Sequence, residues 1–414
     1  MNKFQLAKFI EGLLNCLEFF NKSVKRKNAF TRKGKMSFKQ SLMFMLDMNK
    51  TSLQARLNIF FDKTQGGEPM SQQAFSKLRN NFDHTPLELM ARGLVKKEYS
   101  GEYELPLWKG YHLISVDGTT IQLPREEVLR SEFGVLGGGT CPGAGVSMVY
   151  DVLNGWVLDA TITHSKMNER KELLKHLEFL TQEMPHITEN SLFLHDRGYA
   201  SLAIFAKMHE IGIKYVMRCK KSDLKEINKA PLGDSLVKLR NGITIRVIKF
   251  KLENSDDIKI LATNEFDLPA DDFPDLYTKR WGIETLYNEL KNIISIEKFS
   301  GRTVNSILQD FWASIVLINS VAVFMKDANE EATKLRAGKQ NKHVYKSQVS
   351  MTVVTLRDQF VFYTLMSDQN DRAEKLNKII KMIARKVSCI RKNRSYKRSF
   401  KNIYNANQNL KSRL

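Results

Sequence analysis

Two short apolar runs in this chain end in an aspartate. Asp117 follows Leu113-Ile114-Ser115-Val116, and Asp196 follows Leu192-Phe193-Leu194-His195. If the two runs are neighbouring parallel strands, both carboxylates emerge at one edge of a sheet, where α/β folds place their sites. Asp117 precedes Gly118, and an aspartate before a glycine also starts turns, so either aspartate alone reads equally well as turn punctuation. Further along, Tyr277, Arg280, Glu284 and Lys291 are separated by three, four and seven residues, which puts all four on one helical face. Leu276, Ile283, Leu286 and Leu290 can supply a separate packing face. From spacing alone the polar stripe is either an exposed ladder of ion pairs, with Arg280 and Glu284 as an i,i+4 pair, or one wall of a functional site.

The elements that must position these residues follow from periodicity. His112 to Val116 is a short β-branched and apolar run that continues past Asp117-Gly118 into Thr119 to Leu123. Ser147 to Leu153 and Trp156 to Ile162 flank Asn154-Gly155, a strong hairpin signal. A helix is expected over Asn168 to Leu180, a strand over Ser191 to His195, a helix over Ser201 to Ile211 and a strand over Ile213 to Arg218. That order predicts a mixed α/β sheet with a crossover helix. Residues 221–265 interrupt it with two alternating runs, Ile243 to Leu252 and Ile258 to Thr263, after the turn at Asn241-Gly242. These suggest a small antiparallel β insertion. Asp271 to Ile294 then reads as helical, as does most of the chain from there to the basic tail. The glycine-rich stretch Gly134 to Gly145 matches neither phosphate-loop pattern and is expected to be a loop.

The first hundred residues read as helical. Phe4, Leu6, Phe9, Ile10, Leu13, Leu14 and Leu17 recur at near-helical spacing, and Gln40 to Leu46 forms another apolar face. Thr64 to Gly67 is a break, after which Ser71 caps a short helix through Ala74, Phe75 and Leu78, with Lys77 and Arg79 expected outward. This reads equally as the second helix of a helix-turn-helix and as ordinary three-helix packing.

The 414 residues carry 65 Lys and Arg against 45 Asp and Glu, for a formal net charge of +20. Residues 1–50 account for +8 and residues 375–414 for +13, so the rest of the chain is near neutral. A basic surface of this kind prefers polyanions, because each neutralised phosphate releases counterions. The tail interleaves Tyr396, Phe400 and Tyr404 with Arg391, Lys392, Arg394, Lys397, Arg398 and Lys401, which suits nucleic acid better than a membrane surface. A solvated tail with no defined partner is the plainer alternative. The 42% hydrophobic content is globular and excludes a largely disordered or collagen-like chain. The four cysteines lie far apart without a CxxC pair, so neither a zinc ribbon nor a disulfide scaffold is expected. The N-terminus has no signal-peptide pattern. The run Phe311 to Met325 contains Ser314, Asn319 and Ser320 and falls short of the roughly 20 residues of a spanning helix. A soluble, intracellular protein is expected.

Asp117-Gly118-Thr119, Asp196-Arg197-Gly198-Tyr199 and Tyr277-x2-Arg280-x3-Glu284-x6-Lys291 resemble the three signature blocks of bacterial insertion-sequence DDE transposases. The last block resembles the Y-R-E-K signature of the insertion-sequence-four family. The likeness in motifs spans residues 111–300, and extends more loosely to the helical N-terminal region and the β insertion. It implies an α/β fold with a ribonuclease-H-like mixed-sheet catalytic core at 106–330, including the β insertion at 221–266. A helical DNA-end-binding domain would occupy 1–105, and a helical C-terminal region with the basic tail 331–414. The resemblance implies that Asp117, Asp196 and Glu284 form a metal-binding catalytic triad, with Tyr277, Arg280 and Lys291 engaging DNA-end phosphates. The residue types agree: three hard oxygen ligands suit two Mg2+ or Mn2+ ions, and no Cys/His cluster offers a competing zinc site.

The implied activity is cleavage of inverted-repeat ends and their joining to target DNA by two-metal phosphoryl transfer. The implied partners are double-stranded DNA, as transposon ends and target, and a second copy of the chain in a synaptic complex. The implied location is the bacterial cytoplasm, at the nucleoid, with no membrane partner. Rival readings are a metal-dependent nuclease or resolvase on the same fold, and a non-catalytic transposase-derived DNA-binding protein. The presence of all three carboxylates argues against the second. Of the neighbouring residues, His195 should point to the opposite strand face from Asp196. Asp151 and Asp159 are expected to be solvent or turn residues, and Trp281 to pack partly buried rather than to stack on a flipped base.

Overall fold

Eight strands build one sheet: β1 (His112–Gln122), β2 (Gly143–Asp151), β3 (Trp156–His164), β4 (Ser191–His195), β5 (Lys214–Cys219), β6 (Gly233–Lys238), β7 (Thr244–Lys251) and β8 (Ile258–Thr263). They lie in the order β3-β2-β1-β4-β5-β8-β7-β6 in the computed structural model, which describes residues 1–390 except 27, 33, 48, 65, 252–256, 339–342 and 367. The basic tail beyond residue 390 lies outside the described residues. β1, β2 and β3 are antiparallel neighbours, and β4 and β5 run parallel to β1. This is the mixed α/β sheet that the pattern of strands and helices predicts.

Two local readings give way to the sheet. Asp117-Gly118 is strand interior and not a turn, because β1 pairs with β2 without interruption from Ile114 to Gln122. Gly143 and Gly145 belong to β2 and not to a loop. A side chain at Gly143 would meet Leu136 at 2.2 Å, and one at Gly145 would meet Met167 at 2.7 Å. The antiparallel β insertion is present, with a third strand, β6, beside β7 and β8, and it continues the main sheet through antiparallel pairing of β8 with β5.

Among the described residues six helices precede the sheet: α1 (Lys3–Asn15), α2 (Leu17–Ser23), α3 (Phe38–Leu46), α4 (Leu53–Thr64), α5 (Gln72–Arg79) and α6 (Thr85–Glu98). Extended backbone at Cys16 ends α1, so Leu17 starts a new helix and is exposed rather than continuing the apolar face. Arg79, expected outward, is buried. It bonds Gln309 Oε1 at 2.8 Å and Ser300 Oγ at 2.9 Å, and pairs with Asp310 at 3.1 Å, so a far part of the chain supplies the partners that burial of a guanidinium requires.

Around and after the early strands come α7 (Glu127–Phe133), α8 (Glu169–Glu183), α9 (Pro185–Glu189), α10 (Leu202–Glu210) and α11 (Lys225–Lys229). Beyond β8 the chain is helical through α12 (Phe273–Thr278) and α13 (Gly282–Asn288), linked by a 3-10 turn at Lys279–Trp281 and extended by a π turn at Glu289–Ile293. Then come α14 (Val304–Lys334), α15 (Val349–Thr355), α16 (Val361–Leu365) and α17 (Gln369–Arg385), with β9 (Val344–Ser347) and β10 (Val387–Ile390) forming an unforeseen two-stranded ribbon.

By length and composition α14 could cross a bilayer, but 89% of its most apolar window is buried inside the molecule, so it is a core helix. The N-terminal helices and α17 pack on it, as does β3. Asn319 reaches from α14 to that outer strand, accepting from the Val157 N–H at 2.9 Å and donating to the Val157 carbonyl at 3.0 Å. On the other face of the sheet, Leu113, Leu192, Leu194 and Val216 form a smaller core with Phe273, Leu276 and Tyr277 of α12.

Candidate active site

Alternation along the strands decides where the aspartates point. β1 and β4 are adjacent and parallel, with Ser115 opposite Leu194, and two residues further in step stand Asp117 and Asp196. Both share strand parity with residues of the smaller core, Leu113 and Leu194, so their side chains emerge on the face that α12 covers. His195 has the other parity. It is fully buried, stacked on Phe193 with ring centroids 6.0 Å apart, and its two ring nitrogens have no hydrogen-bond partner. Burial, with the Arg280 charge, drives its pKa down to about 3, so it stays neutral and forms no pair with Asp196.

β4 stops at His195 while β1 runs on to Gln122, which leaves the far half of β1 without a neighbour on that side. Side chains from the segment after β8 bond to this stretch instead. The Tyr287 hydroxyl donates to the Asp117 carbonyl at 2.6 Å, Lys291 Nζ donates to the Thr120 carbonyl at 2.8 Å and to Thr119 Oγ1 at 2.9 Å, and Glu297 accepts from the Gln122 N–H at 2.9 Å. Arg280, on the same segment, joins Glu284 to the first aspartate. Arg280 Nη2 lies 2.7 Å from Glu284 Oε1, and its Nη1 lies 3.9 Å from Asp117 Oδ2. The Tyr277 hydroxyl donates to Asp196 Oδ1 at 3.4 Å.

The structure thus links Glu284 to Asp117 through Arg280, and Tyr277 to Asp196, while Lys291 sits further along β1 at Thr119 and Thr120. The stripe is not an exposed ladder: Arg280 is 5% exposed, and Tyr277 is buried beside it. Lys291 is engaged with β1. Trp281, expected to be partly buried, is 49% exposed. Asp151 and Asp159 are buried rather than in solvent. Asp151 accepts from the Tyr99 hydroxyl at 2.8 Å and caps the hairpin turn through the Leu153 and Asn154 N–H groups. Asp159 bonds His176 at 2.7 Å and Arg92 at 3.2 Å.

Burial pushes the Asp117 carboxyl up to about 6, against the Gly118 N–H and Arg280, which favour its charged form; Glu169 and Asp196 push the same way as burial. Burial and then Asp196 raise Glu169 as well. Among the described residues no three Asp, Glu, His or Cys side chains form a ready-made metal cage, and the cation that these carboxylates face is the Arg280 guanidinium. The donor set nevertheless suits a hard divalent ion, since every candidate ligand is a carboxylate oxygen. Two buried polar atoms beside it, the Tyr199 hydroxyl and Arg280 Nε, have no hydrogen-bond partner.

Sequence reasoning passed over three residues here. Tyr287 continues the three-and-four spacing between Glu284 and Lys291, a signal that was present. Tyr199 sits in the second motif, buried among the acids. Glu169 had no local signal, because it opens an ordinary surface helix.

The chain is similar to known proteins over its central part. The family described as "Transposase DDE domain" matches residues 108–320. The transposase InsG for insertion sequence element IS4 of Escherichia coli (strain K12) is 25% identical over 238 residues, covering 52% of each chain. A probable transposase for insertion sequence element IS5377 of Geobacillus stearothermophilus is 28% identical over 71 residues, 17% of this chain and 19% of that one. This chain therefore spans about half the length, or less, of the curated relatives it matches. A cryo-EM structure of a piggyBac transposase synaptic complex with hairpin DNA gives a TM-score of 0.49 at 11% identity, covering 90% of this chain and 85% of that one.

Proposed function

This chain belongs to the transposase DDE-domain family, and from that premise we propose that it is a DNA transposase that cuts the inverted-repeat ends of an insertion sequence and joins them to target DNA. The observation that carries the reading is the register of β1 and β4, which sets Asp117 beside Asp196 where the Arg280–Glu284 pair arrives. Asp117, Asp196 and Glu284 are the residues that would hold two divalent ions, Mg2+ or Mn2+. Such ions, when bound, supply activation of a water or 3′-hydroxyl and stabilisation of the leaving oxygen in an in-line displacement at phosphorus.

The remaining work falls to the chain itself. Arg280 offers a planar fork for a phosphate oxygen pair and Tyr277 a hydroxyl donor beside Asp196, with Lys291 as a point charge along β1. Residues 1–105 are assigned to recognition of the transposon ends, 106–330 to chemistry and 331–414 to added non-specific DNA affinity. Two copies would join two ends in one synaptic complex, acting in the cytoplasm on nucleoid DNA.

The test is a cleavage and strand-joining assay on end DNA with Mg2+. The wild type should do both, whereas Asp117→Ala, Asp196→Ala and Glu284→Ala should do neither while keeping near wild-type end binding, because affinity comes mainly from basic surface elsewhere. Cleavage without joining would mean a nuclease. A Glu284→Ala protein that cuts at the wild-type rate would remove Glu284 from the site.

A further inference from the structure

Gly118 follows Asp117, and Gly198 lies two residues after Asp196. Neither glycine adopts a positive φ, so backbone conformation does not demand them. Space does. A Cβ on Gly118 would stand 2.7 Å from Met167 Cε, 3.1 Å from Glu169 Oε1 and 3.2 Å from its Cγ, and a Cβ on Gly198 would stand 3.2 Å from Glu169 Oε2. Two missing side chains beside the two aspartates therefore admit one carboxylate. It comes from the first turn of α8, whose Leu173 and Leu177 pack in the larger core with Phe193, away from the face that α12 covers.

That carboxylate is unanswered. Glu169 makes no hydrogen bond or ion pair with any described residue, although it is only partly exposed. Arg280, which pairs with Glu284 and stands near Asp117, makes no contact with it. The Tyr199 hydroxyl is fully buried among Glu169, Asp117 and Asp196, and it too has no hydrogen-bond partner. A half-buried carboxylate beside two others is costly unless a cation compensates it.

We propose that Glu169 is a fourth carboxylate of the divalent-cation site, helping Asp117 and Asp196 to hold an ion from the opposite face of the sheet. The proposal rests on the reading of Asp117 and Asp196 as cation ligands. It also gives the glycines of the first two motifs a steric purpose.

The experiment is Mn2+ titration of the full-length, DNA-free protein, followed by the paramagnetic resonance signal of free Mn2+. Thermal unfolding in EDTA is recorded alongside. Glu169→Gln keeps the shape and removes the charge, and should weaken Mn2+ binding by about 10- to 100-fold. Its Tm in EDTA should equal or exceed that of the wild type, because an uncompensated buried charge is gone. Glu169→Asp, which keeps the charge on a shorter stem, should fall between the two. Asp117→Asn is the control for the underlying reading. Wild-type affinity in Glu169→Gln with lost affinity in Asp117→Asn would overturn the role of Glu169 and leave the aspartates in place. Unchanged affinity in both would overturn the aspartate reading, and the proposal with it. A lowered Tm in EDTA with unchanged Mn2+ affinity would make Glu169 a packing residue and overturn the proposal.

Discussion

The hydroxyl of Tyr287 donates to the main-chain carbonyl of Asp117 at 2.6 Å, so the helix that carries Glu284 is pinned to the strand that carries the first aspartate. Tyr287→Phe removes this one tether, while the Asp117 carbonyl keeps its place in the β1–β2 ladder opposite Met148. It should cost about 0.5–1.5 kcal/mol of stability and lower the cleavage rate at saturating Mg2+ more than it lowers end binding. Denaturant unfolding and single-turnover cleavage are the measurements. Wild-type values in both would show that the tether holds nothing in register.

Arg280→Lys and Arg280→Ala separate charge from shape. Arg280 reaches Glu284 at 2.7 Å and Asp117 at 3.9 Å with two nitrogens of one fork, which a lysine cannot reproduce. Cleavage of end DNA should fall in both variants, and further in Arg280→Ala. Equal and near-normal rates in the two would mean that Arg280 only packs.

His195 should make stability acid-sensitive. Burial holds its folded pKa near 3 against an ordinary 6.5, so between those values the unfolded chain binds a proton that the folded chain refuses. The stabilisation is complete above pH 6.5 and is lost as pH falls, at about 1.4 kcal/mol per pH unit for this one group. His195→Leu should flatten the slope of unfolding free energy against pH by roughly one proton between pH 6 and 4. Parallel curves for the two proteins would contradict a neutral buried imidazole.

Removal of the basic tail should change salt dependence rather than specificity. The cut belongs after Ile390, because Leu376, Ile379, Ile380 and Ile383 of α17 are buried in the core. Residues 391–414 hold eight Lys and Arg and no acid. If about four of these engage phosphates, truncation should reduce the slope of log affinity against log salt by about 3 to 4. The preference for end DNA over random DNA should persist, since phosphate contacts carry no sequence information directly. Binding of both DNAs at several salt concentrations tests this. An unchanged slope would show that the tail stays off DNA.

What was legible in the chain was what repeats locally. Short apolar runs gave the strands before Asp117 and Asp196, and helical spacing gave the Tyr277–Lys291 stripe. What was not legible depends on partners far along the chain. Asp117-Gly118 resembles a turn until β2 is seen to pair across it. Arg79 looks like a surface residue until Asp310 and Gln309 arrive to satisfy it. β8 looks like half of a hairpin until β5 takes its other edge. Glu169 is the extreme case, since only the absence of two Cβ atoms tells what its carboxylate approaches.

The two margins of the sheet differ as templates for growth. At Val157 of β3, Asn319 already plays the part of a neighbouring strand, accepting one main-chain bond and returning another, so a rung of that margin is closed by the molecule's own central helix. β6, at the far margin, has β7 alone as a strand neighbour and leaves Leu236 69% exposed. A strand from another molecule would therefore meet its open ladder at β6, and a charged residue in place of Leu236 is the change that would guard this margin against self-association during concentration of the protein.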